Sequence, residues 1–251
     1  MSKANTGNFV KASDTIKNRI IGASYGEPGS GKTSFWLGAP GPIYIQSFDK
    51  GLEGVVEPYT KEKDIQVCEY DWSPAPGTEL DQSEAIDLRD RFSEDFELAL
   101  SKGRTVIWDT ETGVWGLFKY AEFGVSEKGK PQDWDSLKQR CRRLINLPKA
   151  LDINFGLIQS LKNEWVPSVN KKTGATGITQ SGNRIRAGMD DVESLVHVNI
   201  EHSRKNGEFS LAIGKSRGPG SRDVQDKTFS NLSFVDFAQL VFPDSTEEDW
   251  T

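Results

Sequence analysis

The chain has 251 residues, 35% hydrophobic and 27% charged, enough for one α/β domain with a full core and against wholesale disorder. A net charge of −6 excludes a uniformly basic nucleic-acid coat protein. No apolar run approaches the ~20 residues of a membrane span and residues 1–10 are polar, so no membrane association and a cytoplasmic setting are expected.

Residues 1–18 are polar and read as a flexible arm. A short apolar strand is expected over 19–25, ended by Gly26, and a brief helix from Lys32 that stops near Gly38 because Ala39-Pro40-Gly41-Pro42 cannot continue it. Strands follow at 43–47 and 65–69, then a Pro-rich loop at 72–77. Residues 83–100 have helical spacing, with Ile86, Phe92, Phe96 and Leu100 on one face. A buried strand over 105–109 ends in Asp109, and a helix is expected over 114–123. A further helix, 134–147, takes Asp133 as its N-cap. The strand 155–158 ends at Gln159-Ser160. Residues 161–189, rich in Gly, Thr, Asn and Lys, read as a long functional loop. Strands at 195–201 and 209–214 form a hairpin around Lys205-Asn206-Gly207. A last helix spans 232–241, and 244–251 is an acidic tail. Strands alternating with helices predict an α/β fold whose mostly parallel central sheet is flanked by helices, with an antiparallel hairpin at one edge.

Cys68 and Cys141 lack a CxxC companion and read as free thiols in a reducing compartment. His197 and His202 have no metal-like partners and read as ordinary hairpin residues.

Gly26-Glu27-Pro28-Gly29-Ser30-Gly31-Lys32-Thr33, followed by Ser34, has the G-x-x-x-x-G-K-[ST] pattern between a strand and a helix. Its glycines let backbone N–H groups curl around phosphates, Lys32 supplies a point charge, and the Thr33 hydroxyl can ligate Mg²⁺. ATP and Mg²⁺ are the expected ligands. Asp109, at the carboxyl end of its strand, is the expected second metal ligand, or else a cap for the next helix. Asp49 and Glu111, with Glu53 behind them, are candidates to orient the attacking water, Asp49 being favoured. Gln159 could sense the terminal phosphate. Residues 161–189 carry Lys162, Lys171, Lys172, Arg184 and Arg186 against one acid, Glu164, so this basic loop on an acidic body is either a binding loop or a solvated surface.

Gly26 to Thr33, the strand-end Asp109, Gln159-Ser160 and the late Lys215-Ser216-Arg217-Gly218-Pro219-Gly220 together resemble the RecA-like P-loop ATPases. The small phage-encoded branch implicated in single-strand annealing and recombination is the most similar. The resemblance covers 19–243 and implies one ATPase domain. By that resemblance Lys215 and Arg217 would reach a neighbouring subunit's nucleotide. The basic loop would bind single-stranded DNA, with Lys162, Lys171, Lys172, Arg184 and Arg186 on phosphates and Trp165 stacked on a base. The implied protein is a DNA-dependent ATPase that self-associates head to tail into a ring or filament, with a single-strand-binding protein as a possible partner. The alternative is an ATP-switched adaptor or loader with little turnover. The sequence departs from the family after the second strand, where Asp49 stands in place of the common Glu.

Overall fold

The computed structural model describes residues 18–72, 81–126, 128–169 and 176–251. The arm and most of the Pro-rich loop therefore lie outside the described residues. In chain order the elements are β1 (Ile21–Gly26), α1 (Lys32–Leu37), β2 (Ile43–Ser47), β3 (Ile65–Glu69), α2 (Gln82–Lys102), β4 (Thr105–Asp109), α3 (Glu111–Phe123), α4 (Pro131–Asn146) and β5 (Asn154–Gln159). There follow β6 (Leu161–Val169), β7 (Thr176–Arg186), α5 (Val192–Leu195), β8 (Val198–Lys205), β9 (Glu208–Lys215), α6 (Ser221–Val224), β10 (Thr228–Ser230) and α7 (Phe234–Val241).

Eight strands make one sheet in the order β10-β9-β8-β1-β5-β4-β2-β3. The pairings from β3 to β8 are parallel, while β8-β9-β10 are antiparallel and form one edge. The expected α/β architecture with an edge hairpin is present. Strand β5 separates β1 from β4, so the loop after β1 and the carboxylate ending β4 flank a gap at the sheet's carboxyl edge, where parallel-sheet ligands collect.

Central strands bury both faces, which is why they read as unbroken apolar runs. On one face Phe92 and Phe96 of α2 and Phe118 of α3 pack with Trp108 and Phe155 of the sheet. On the other, Phe35 and Trp36 of α1 pack with Phe234 and Phe237 of α7. Trp36 lies flat on two strand glycines: a Cβ at Gly156 would stand 2.5 Å from its Cδ2, and one at Gly22 would stand 3.2 Å from its Cζ2. Its Nε1 donates to Ser24 Oγ at 2.9 Å. That docking sets the position of α1, and so of the loop that precedes it.

Two expectations are corrected. Residues 161–189 are mostly a two-stranded ribbon of β6 and β7, with a bulge between Asn163 and Trp165. Its residues are mostly polar and exposed, with no sustained apolar alternation, so composition hid a strand pair. Asp133 is not an N-cap. The helix begins at Pro131, whose missing N–H suits the first turn, and Asp133 accepts from Lys130 N at 3.0 Å. His202 lies on β8 of the hairpin, paired with Leu211, and is 2% exposed.

The terminal segment is docked. Trp250 is fully buried against Phe234 and Phe242, and Arg104 donates to the carbonyls of Asp249 and Thr251.

Candidate functional site

The loop from Gly26 to Gly31 closes tightly because its glycines leave room. A Cβ on Gly26 would meet His202 O of neighbouring β8 at 2.1 Å. Gly31 has φ +87°, and a Cβ there would stand 2.9 Å from Phe209 Cδ1 of β9. Lys32 Nζ curls over the loop and donates to Gly26 O and Glu27 O, both at 2.9 Å. Burial lowers the lysine's pKa, an effect opposed by the charges of Asp109, Asp49 and Glu27.

Thr33 Oγ1 donates to Asp109 Oδ2 at 2.7 Å. Asp109 is 2% exposed, and burial, reinforced by the charge of Asp49, raises its carboxyl to about 6. Asp109 does not cap α3: that position is Thr110, whose hydroxyl accepts from Gly113 N at 3.1 Å. Asp49 Oδ1 accepts from Gly51 N at 3.0 Å. Lys32, Thr33, Ser34, Asp49, Asp109, Ser160 and Arg184 all line one cavity of about 330 Å³ with Gly26, Pro28, Gly29 and Gly31. Beside it a second recess, about 410 Å³, lies between Tyr59 and Phe209, with Ser30, Gly31 and Ser34 on its floor. Among the described residues, no group of three His, Cys, Asp or Glu side chains gathers as a metal cage. One hydroxyl and one buried carboxylate at the loop mouth fit Mg²⁺, which keeps its waters and shares substrate phosphates.

Glu111 stands apart from that cavity. It is fully enclosed, and burial raises its carboxyl to about 7. It accepts from Gln159 Nε2 at 2.9 Å and from Met189 N at 3.1 Å. Gly188 crosses so closely, at φ +95°, that a Cβ would stand 2.0 Å from Glu111 Oε2. Ser160 N donates to Thr112 Oγ1 at 3.0 Å and Ala187 N to Ser160 O at 2.8 Å. Both legs of the ribbon are thereby fastened to the first turn of α3, directly after Asp109.

On the ribbon, Lys162 is exposed and Trp165 is 56% exposed. Pro167 and Ile178 are cross-strand partners on the same side as Trp165. Arg184 and Arg186 sit at the root instead. Arg184 Nη1 donates to Glu27 Oε2 at 2.5 Å, and Arg186 lies 4.0 Å over the Tyr25 ring while donating to Asn199 Oδ1 at 3.0 Å. Lys171 and Lys172 lie outside the described residues.

Lys215 and Arg217 are not at this chain's own loop. Gly26 pairs with His202 on β8, whereas Lys215 pairs with Asn199, and Glu208 and Phe209 form the near end of β9. Lys215 Nζ donates to the carbonyls of Glu193 (2.7 Å), Ser194 (3.2 Å) and Val196 (2.9 Å). Arg217 stands near Lys149 and His197. Burial and the charges of Lys149, Arg19, Arg217 and Lys215 lower His197 to about 4. Sequence reasoning missed Tyr59, Phe209 and the Glu27–Arg184 pair, which are assembled only by tertiary contacts.

The fold and this geometry define an α/β protein with a glycine-rich strand-to-helix loop set beside a strand-end carboxylate. The chain matches no protein-family model and no curated protein. Among solved structures it is similar to the crystal structure of the RadB recombinase, at 12% identity and TM-score 0.48, over 84% of this chain and 86% of that chain. No helix of the described residues is long and apolar enough to cross a membrane.

Proposed function

We propose that this chain is a RecA-like ATPase that binds ATP and Mg²⁺ and acts on single-stranded DNA in recombination or annealing, as a head-to-tail oligomer of the kind encoded by phages. The observation that carries the reading is the Thr33–Asp109 contact at the mouth of the loop that holds Lys32. Phosphates would be held by the loop's backbone N–H groups and Lys32, with Thr33 and Asp109 holding Mg²⁺. The metal supplies charge neutralisation across the phosphates. The recess between Tyr59 and Phe209 suits a base. Asp49 lines the same cavity as Lys32 and would orient the attacking water. Lys215 and Arg217, remote from their own loop, would complete a neighbour's site. Trp165 offers a stacking platform for DNA.

A second reading, an ATP-switched adaptor or loader with little turnover, is favoured by one observation. Glu111 is committed to Gln159 and Met189, which leaves Asp49 alone to serve the water.

Steady-state ATP hydrolysis with and without single-stranded DNA separates the two, with Lys32→Ala and Arg217→Ala alongside. DNA stimulation lost in both variants supports the recombination reading. Slow turnover indifferent to DNA supports the adaptor.

A further inference from the structure

Arg184 stands out on a ribbon strand whose residues 176–185 are all exposed. It lines the phosphate cavity with Lys32, Thr33 and Asp109, and also the larger cavity of about 940 Å³ on the other side of the loop. Its guanidinium is held there by two contacts. Nη1 donates to Glu27 Oε2 at 2.5 Å and Nη2 to Leu161 O at 3.0 Å. Glu27 is the second residue of the glycine-rich loop, so a carboxylate of the loop itself restrains a cation that faces the phosphate site.

That restraint is weak. The side chains are 42% and 54% exposed, and an ion pair so open to water typically contributes about 0–1 kcal/mol. A guanidinium makes charge-assisted hydrogen bonds to a carboxylate and to a phosphate alike. A terminal phosphate, however, carries up to about twice the negative charge and three acceptor oxygens, so it competes with Glu27 for Arg184. The fork-shaped, permanently charged head of arginine suits that exchange better than lysine would.

We infer that Arg184 is a sensor of the terminal phosphate acting within its own chain, which trades Glu27 for the γ-phosphate of ATP and so ties the ribbon to the nucleotide state. The inference rests on the ATP reading above and moves Arg184 from the DNA contacts to the nucleotide contacts. The local structure gives the exchange a mechanical consequence. Arg184 pairs with Asn163, at the edge of the bulge that runs to Trp165. Two residues further along, Arg186 is anchored on Tyr25. A shift of Arg184 toward the cavity therefore bends the ribbon at its bulge, around a fixed root, and turns the segment carrying Trp165.

The test is binding of fluorescent ATP and ADP analogues to the full chain, in wild type, Arg184→Ala, Arg184→Lys, Glu27→Gln and Lys32→Ala. Arg184→Ala is expected to weaken ATP tenfold or more, the worth of a charged hydrogen bond, while ADP stays within about twofold. Arg184→Lys should restore part of the ATP preference. Glu27→Gln, which frees the guanidinium, should tighten ATP a few-fold, or about threefold, and leave ADP unchanged. Equal losses for ATP and ADP in Arg184→Ala overturn the inference, as does unchanged nucleotide binding with weakened binding to single-stranded DNA. If Lys32→Ala abolishes binding of both nucleotides while Arg184→Ala alters neither, the ATP reading stands and the sensor alone fails. Wild-type protein that binds neither nucleotide overturns the ATP reading and this inference together.

Discussion

Thr33 Oγ1 and Asp109 Oδ2 meet at 2.7 Å although 76 positions separate them in sequence. The contact joins the first turn after the glycine-rich loop to the carboxyl end of β4, across the gap that β5 opens in the strand order. It also holds a carboxylate that burial and the neighbouring Asp49 push up to about 6. Such a group is costly to keep charged without a cation.

Asp109→Asn should therefore have two opposite effects. Mg²⁺-dependent ATP hydrolysis should fall by about a hundredfold or more, through loss of a metal ligand. Thermal stability should rise by roughly 2–4 °C, the shift that about 1 kcal/mol produces in a domain of this size. Calorimetry beside a hydrolysis assay checks both. A variant that loses activity and stability together would mean that Asp109 serves the fold.

His202 predicts acid sensitivity. The His202 imidazole is 2% exposed, and its Nε2 shares a hydrogen bond with Ser24 Oγ at 2.9 Å, the same hydroxyl that accepts from Trp36 Nε1 at 2.9 Å. Burial, with a smaller contribution from the Lys32 charge, lowers its pKa to about 3. The folded state binds fewer protons than the unfolded chain between the ordinary histidine value near 6.5 and that lowered value. Stability is complete above about 6.5 and falls as pH drops, by up to about 1.4 kcal/mol per unit from this residue. Glu111 and Asp109, both raised, act in the opposite sense over the same range, and His197 acts in the same sense. The contribution is therefore read as a difference: in urea unfolding at pH 7.5, 6 and 5 the stability of wild type relative to His202→Gln should fall as pH drops.

Much of this site was legible because its signals are local. Gly26 to Thr33 is a contiguous pattern, and the apolar run ending in Asp109 reads directly as a buried strand. The ribbon was not legible: residues 176–185 are exposed on both faces, so no apolar alternation marks them as a strand. Pro131 outranked Asp133 as a helix start because a fixed φ and a missing N–H suit the first turn. Phe209 beside Gly31, and Arg184 beside Glu27, are products of strand order and ribbon path, which no window of sequence contains.

Gly188→Ala should loosen the ribbon's root. The position combines φ +95° with a Cβ that would stand 2.0 Å from Glu111 Oε2, and Glu111 is fully buried. Neither the backbone nor the carboxylate can yield cheaply, so a loss of about 2 kcal/mol or more is expected. Native-state hydrogen exchange should show Ala187 N and Met189 N, bonded to Ser160 O and Glu111, losing protection first. Uniform loss across the sheet would argue against a local latch.

Trp165→Ala tests the ribbon as a DNA surface. The indole is 56% exposed beside Pro167 and Ile178, with no aromatic partner among the described contacts. Stacking on one base is worth about 1–3 kcal/mol, so affinity for single-stranded DNA should drop roughly 5- to 150-fold. The salt dependence of binding should be unchanged, because no phosphate contact is removed. Quenching of tryptophan fluorescence on adding oligonucleotide, absent in the variant, would locate the contact.

The acidic terminus makes the last prediction. Its residues read in sequence as an acidic tail, yet Trp250 is fully buried between Phe234 and Phe242, its Nε1 donates to Ser245 Oγ at 2.8 Å, and Thr246 and Asp249 close a reciprocal cap. Phe234 in turn packs on Phe35 and Trp36 of α1, so the terminus braces the helix that carries Lys32 and Thr33. Trp250→Ala should cost about 3–5 kcal/mol, the range for emptying a large buried aromatic site. Nucleotide affinity should weaken in parallel, because α1 loses support on its outer face. Replacing the exposed Glu247 and Glu248 by Gln should change neither. Chemical unfolding and nucleotide titration of the two variants decide the matter: if the Gln substitutions alone disrupted function while Trp250→Ala did not, the terminus would be a recruiting element and not a brace.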